Sequence, residues 1–128
     1  MKVVMDTHAF LWWIDQSSRL SDKAHAVLAD QDNDVLLSMA SVWELAIKMS
    51  IGKIDFNCPF DIFITHELKS NNFNLLNLSI YHLKNLIFLP FHHRDPFDRL
   101  LISQALVENI PILTADRVFD SYGVMRLW

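Results

Sequence analysis

The sequence predicts an α/β fold, a three-layer α/β/α sandwich with a mostly parallel central sheet. Short apolar, β-branched runs alternate with helical patterns along the whole chain, and a crossover between parallel strands needs a helix to cover the sheet. Composition agrees: 52% hydrophobic and 20% charged residues in 128 are enough for one core and exclude wholesale disorder. Only Gly52 and Gly123 interrupt the chain, and no Ser/Gly-rich or Pro-rich tract offers a linker. One domain over residues 1–128 is the expectation.

The elements follow in order. Lys2 to Met5 is short and apolar and ends at Asp6, which reads as a buried strand; Thr7 to Ile14 then reads as a helix. Residues 21–28 have a serine start, an acid in the first turn and apolar positions at Ala24, Val27 and Leu28, so a second helix is expected. Residues 35–37 form the next strand. From Ser41 the spacing of Val42, Leu45, Ala46 and Met49 is helical, and Gly52 is placed to stop it. Residues 59–69 and 79–89 read as helices around a short third strand at 75–78. Residues 96–107 form a stronger helix, with Pro96 at its first position and Asn109 near its end. A strand at 112–114 precedes Asp116, and 124–127 reads as an edge strand.

The single cysteine, Cys58, excludes an internal disulfide and a thiolate metal cluster, which suits a reducing compartment. Asp6 and His8 break the opening apolar stretch before a secretion signal could form, and no run approaches the length of a membrane span. A cytoplasmic protein that avoids membranes is expected. The net charge of -4 argues against holding nucleic acid through a broad basic surface. Cations held by clustered carboxylates would supply a local positive field instead.

In open α/β sheets, ligands bind beyond the carboxyl ends of the strands. Asp6 closes the first strand, Asp116 follows the strand at 112–114, and Glu44 and Asp98 lie in the first turns of helices. If the strands are parallel, all four acids converge on one end of the sheet. Carboxylates so gathered repel one another unless cations neutralise them. Oxygen-rich acidic sites suit Mg²⁺ or Mn²⁺, which could activate water and stabilise the departing oxygen in phosphodiester cleavage.

Several residues have plainer readings. Asp6 and Thr7 would each cap a helix. Glu44 is the fourth member of a Ser41-x-x-Glu44 capping box and lies one turn before Lys48. Asp95-Pro96-Phe97-Asp98 matches a cap followed by the first three helical positions, so Asp95 reads as the cap. Asp116 and Asp120 suit a polar turn. His92, His93 and Asp95 invite a His-x-Asp chelate, yet there is no His-Glu-x-x-His and no thiol pair; His93 is left between bracing the site, touching a bound substrate, and a surface or packing role. A serine nucleophile lacks its Gly-x-Ser-x-Gly elbow, and a P-loop lacks its glycines. Arg94, Arg99, Arg117, Lys48 and Lys53 lie near the crevice in sequence and receive no catalytic role.

The pieces Val3-Val4-Met5-Asp6-Thr7, Ser41-Val42-Trp43-Glu44-Leu45, Asp98-Arg99-Leu100-Leu101-Ile102 with Ala105, and Leu113-Thr114-Ala115-Asp116 together resemble the PIN-domain nucleases. They span nearly the whole chain. The stretch from His93 to Leu101 resembles a bacterial single-domain subgroup that includes toxins of VapBC-type toxin-antitoxin pairs. The resemblance implies a PIN-like fold and an RNA-cleaving enzyme dependent on Mg²⁺ or Mn²⁺. It implies Asp6, Glu44 and Asp98 as metal ligands, Asp116 as a fourth, more variable acid, Thr114 as the hydroxyl accompanying that acid, and Thr7 beside the first. It also implies RNA as substrate and a cognate antitoxin protein as partner, while the nearly all-apolar first helix needs cover that an antitoxin peptide or a second copy in a homodimer would supply. The apolar helix Phe10-Leu11-Trp12-Trp13-Ile14 supports an alternative, a non-catalytic PIN-like binding module that works through partner association. A small-molecule phosphatase is disfavoured, because Asp6-Thr7-His8 lacks the usual second aspartate.

Overall fold

Alternation of side chains across the central strand organises the molecule. In β1 (Lys2–Met5) Val3 and Met5 point to one face of the sheet and Val4 to the other, and all three are fully buried. The computed structural model, which describes residues 1–128, therefore has two cores. One packs Val3 and Met5 with Val35 and Leu37 under Phe10, Leu20, Ala24 and Leu28; the other packs Val4, Leu36 and Ile112 against Leu101, Ile102 and Ala105. Helices on both faces make three layers.

Eleven regular elements build this arrangement. After β1 come α1 (Thr7–Ile14), α2 (Asp22–Ala29), β2 (Asp34–Ser38), α3 (Met39–Ser50), α4 (Phe60–Ser70), β3 (Asn74–Leu76), α5 (Ile80–Ile87), α6 (Pro96–Glu108), β4 (Ile112–Leu113) and β5 (Arg126–Leu127). A 3₁₀ helix over Arg117–Tyr122 joins the last two strands. The sheet order is β3-β2-β1-β4-β5, and every neighbouring pair is parallel. The expected mostly parallel sheet is thus wholly parallel. No helix is long and apolar enough to cross a membrane.

Local chemistry sets the boundaries. Ser21 caps α2 by accepting from the Ala24 N–H, and Ser79 caps α5 within a reciprocal box completed by His82. Asn109 ends α6 in the left-handed region at φ 54°, a conformation asparagine tolerates. The third strand starts and stops earlier than the 75–78 expected, because Leu36 to Ser38 of β2 pair with Asn74 to Leu76. The start of α3 also departs from expectation. Ser38, not Ser41, is the cap, its Oγ accepting from the Ala40 N–H, so the Ser41-x-x-Glu44 capping box does not form.

The chain runs from β1 outward to β2 and β3 on one side, and to β4 and β5 on the other. The strand order therefore reverses beside β1, and the crevice beyond the carboxyl ends of β1 and β4 is the topological switch point.

Candidate active site

Asp6 leaves the end of β1 and enters α1, and it is both helix cap and crevice acid. Its Oδ1 accepts from the Ala9 N–H at 2.7 Å, and its Oδ2 accepts from the Thr114 hydroxyl at 2.6 Å. Thr114 stands just past β4, and its oxygen accepts in turn from the Asp116 N–H at 3.1 Å. Both Asp6 and Thr114 are buried. Burial pushes the Asp6 carboxyl above its ordinary value, against the opposing hydrogen bonds from Thr114 and Ala9.

Glu44 reaches the same place from the second turn of α3. With Ser38 as cap, Ser41 falls inside the helix and is fully buried. Glu44 Oε1 accepts from the Thr7 hydroxyl at 2.8 Å, and Thr7 Oγ1 lies 2.9 Å from Ser41 Oγ. Lys48 Nζ approaches Glu44 Oε2 to 2.9 Å, the ion pair expected one turn along the helix. Each carboxylate oxygen of Asp6 and Glu44 is thus already oriented by one neighbour. A carboxylate oxygen has a second acceptor position, so an ion or donor can still be taken.

Asp98 and Asp116 form the outer part of the site. Asp95 is the cap of α6, as expected, with Oδ1 accepting from the Phe97 and Asp98 N–H groups at 2.8 and 3.1 Å. The His-x-Asp chelate is therefore not made: His93 Nδ1 accepts the Asp95 backbone N–H at 3.1 Å, and the Asp95 carboxylate turns to the helix. The other ring nitrogen, His93 Nε2, lies 3.1 Å from Asp98 Oδ2 and 2.8 Å from Asp116 Oδ2. Asp116 also caps the 3₁₀ helix, its Oδ1 accepting from the Val118 N–H at 3.0 Å.

The four acids act on one another electrostatically. The Asp98 carboxyl is raised to about 7, first by desolvation, then by the charge of Asp95 against the opposing pull of His93, and further by Asp6 and Glu44. Asp116 adds to the upward push on Asp6. Sites scattered from residue 6 to residue 116 therefore share one electrostatic environment. The donor set is rich in carboxylate oxygen, which matches a hard divalent cation. His93, Asp98 and Asp116 each present an atom within 4.8 Å of the others.

Among the basic residues, Arg99 is buried and structural. It donates to the carbonyls of Pro90 and Leu89 at 2.7 and 3.3 Å and to Tyr122 Oη at 3.3 Å, with its guanidinium 4.1 Å from the Phe91 ring centroid. Arg94, Arg117 and Lys53 are exposed. The sequence left His93 undecided, read Ser41 as a cap and gave no sign of Tyr122; their places depend on loop conformation and helix register, which hydrophobic periodicity does not report.

Comparison with known proteins gives a consistent picture. The family model described as PIN domain matches residues 3–124. The fold is similar to VapBC2 from Rickettsia felis, solved bound to a DNA fragment from its promoter, with TM-score 0.72, 16% identity, and 98% of this chain and 97% of that one covered. It is also similar to FitAcB from Neisseria gonorrhoeae, with TM-score 0.57, 14% identity and coverage of 97% and 95%. A toxin-antitoxin complex from Klebsiella pneumoniae aligns with TM-score 0.56, 16% identity and coverage of 89% and 86%. No curated protein matches the chain by sequence.

Proposed function

Since the chain belongs to the PIN-domain family, we propose that it is a Mg²⁺- or Mn²⁺-dependent endoribonuclease, a hydrolase of RNA phosphodiester bonds, acting as a single domain over residues 1–128. The observation that carries this reading is the gathering of Asp6, Glu44, Asp98 and Asp116 at one switch point, with Asp6 and Asp98 raised by burial and mutual charge. Such a site is electrostatically incomplete without a cation. Asp6, Glu44, Asp98 and Asp116 would hold the ion. When bound, Mg²⁺ or Mn²⁺ supplies the positive charge that makes water a nucleophile at neutral pH and steadies the departing oxygen. Thr114 and Thr7 orient the two innermost carboxylates through neutral hydroxyls, adding no charge that would compete with the ion.

Replacing Asp6 by Asn tests the reading. Asn keeps an acceptor for the Ala9 N–H and removes the buried charge, so Mn²⁺-dependent cleavage of an RNA oligonucleotide should be lost while thermal melting stays the same or rises. Retained cleavage by Asp6→Asn would overturn the assignment.

We further propose that the chain is the cytoplasmic toxin of a type II toxin-antitoxin pair, with a cognate antitoxin protein as partner and a homodimer as its assembly. Its structural neighbours, among them a toxin-antitoxin complex, support a partner. So does a cavity of about 450 Å³ at the end of α1, lined by Trp12, Trp13, Ile14, Leu20, His25 and Glu67 among others. Exposed Ile80, Tyr81, Ile87, Phe88 and Phe91 on and after α5 support a second copy. The same apolar surfaces favour the second reading, a binding module without catalysis. Calorimetry decides between them: heat of Mn²⁺ binding together with RNA cleavage supports the nuclease, and the absence of both supports the module.

A further inference from the structure

His93 is the imidazole set among the crevice acids, and its geometry invites two opposite readings. Nε2 lies within hydrogen-bond distance of Asp98 Oδ2 and Asp116 Oδ2, so a His-Asp-Asp metal site suggests itself. An imidazole ligand would shift such a site toward transition metals and away from Mg²⁺. The other ring nitrogen argues against this. A neutral imidazole carries one N–H and one lone pair, and a metal takes the lone pair. Here the lone pair is used at Nδ1, where it accepts the Asp95 backbone N–H at 3.1 Å. The proton is therefore on Nε2, which faces Asp98 Oδ2 and Asp116 Oδ2. Metal-binding histidines show the reverse pattern, with the second nitrogen donating to a carbonyl or carboxylate.

The surroundings hold the ring in that orientation. The His93 backbone N–H donates to Tyr122 Oη at 2.7 Å, and the ring meets Phe119 edge-on at 5.8 Å and 87°. The stretch leading to it is tied down by Arg99, which bonds the Leu89 and Pro90 carbonyls and the same Tyr122 hydroxyl. Rotating the ring to offer a lone pair at the acids would break the bond from Asp95, at the start of the helix that carries Asp98.

We propose that His93 is a positioning residue, an Nε2–H donor that sets the Asp98 and Asp116 carboxylates, and that it is not a ligand of the cation those acids would hold. The cation itself rests on the nuclease reading; the ring tautomer does not. Long-range ¹H–¹⁵N NMR of the purified chain reads it directly, with the His93 signal identified by its absence from His93→Gln. The expected result is a protonated Nε2 and an unprotonated Nδ1, unchanged in type when Mg²⁺ is added.

Two variants then separate positioning from ligation. The Gln amide places an N–H near the position of imidazole Nε2–H; Ala places none. His93→Ala should bind Mn²⁺ as tightly as the parent in calorimetry and lose about 10- to 100-fold in RNA cleavage through kcat, and His93→Gln should restore most of that loss. A proton on Nδ1, a tenfold or greater loss of Mn²⁺ affinity in both variants, or unchanged cleavage by His93→Ala would each overturn the inference. A parent chain that cleaves no RNA defeats the nuclease reading alone, since the nitrogen signals and the Mn²⁺ affinities still decide the role of His93.

Discussion

The inner and outer halves of the crevice hold their acids by different means. Asp6 and Glu44 are 6% and 8% exposed, and each is oriented by a threonine hydroxyl standing at the end of a strand or the start of a helix. The Asp98 and Asp116 side chains are 25% and 38% exposed, and they share a histidine delivered by the irregular stretch between α5 and α6. Regular elements place the first pair, so its geometry is set by the same packing that makes the core. The second pair depends on a loop whose order rests on Arg99 and Tyr122. The inner acids take one partner on every oxygen from the regular elements around them, whereas the outer acids share a single imidazole N–H.

The largest expected effects come from removing one acid in each half. Asp6→Asn and Asp98→Asn should each lower kcat for RNA cleavage by at least ~10³-fold, the several kcal/mol attributed to a metal-centred site. Equal losses, measured at saturating Mn²⁺, mean that both halves hold the ion. A loss confined to Asp6→Asn would break the comparison and make the outer acids accessory.

Next in size are the residues that orient the acids. Thr114→Val keeps the shape at the end of β4 and removes both the bond to Asp6 and the acceptor for the Asp116 N–H. A loss of roughly 10- to 100-fold in Mn²⁺ affinity or activity is expected. A melting temperature lowered by the unmatched Asp6 oxygen should accompany it. If Thr114→Val proves milder than the loss of His93, the outer half is the more demanding of the two.

Much of this division was legible in the sequence. The β-branched run ending at Asp6 and the Asp95-Pro96 start of α6 each carry a local chemical signature, and the structure places both as expected; the strand expected at 112–114 ends one residue sooner, at Leu113. The register at the head of α3 misled, because Ser41-x-x-Glu44 satisfies the capping-box pattern while Ser38, three residues earlier, supplies the cap. Helical periodicity reports which residues share a face and says little about where the first turn begins. The role of His93 was out of reach for a different reason. It arises from contacts with residues 2, 5, 23, 26 and 29 positions away, through a loop with no repeating pattern.

A moderate effect follows from the raised carboxyls and tests how far the two halves are coupled. In the metal-free chain Asp98 binds its proton up to about pH 7, whereas the unfolded chain releases it near 3.8. Between those values the folded state holds more protons, so stability falls as pH rises, and the contribution is complete only below the unfolded value. The melting temperature of the metal-free protein should therefore fall from pH 5 to pH 8. Asp98→Asn should flatten the slope, and Mg²⁺ should oppose the fall by binding the ionised acids. A slope unaffected by Asp98→Asn would assign it to the inner half.

The smallest expected effect concerns Lys48, the one cation in direct contact with a crevice acid of the inner half. Its bond to Glu44 Oε2 is an ordinary pair one helical turn apart, with the lysine side chain 32% exposed. Such pairs contribute about 0.3–0.5 kcal/mol, so Lys48→Met should hardly move the melting temperature. Its effect on the site has the opposite sign. Removing the ammonium frees one Glu44 oxygen and deletes a positive charge beside the place a cation would occupy, so Mn²⁺ should bind slightly more tightly in calorimetry. The inner half would then prove to be held by Thr7, Thr114 and the Ala9 N–H, with Lys48 as a weak competitor for the Glu44 carboxylate. A marked fall in Mn²⁺ affinity in Lys48→Met would instead make the ion pair a further orienting contact, and the inner half would then depend on a charged partner, unlike the outer one.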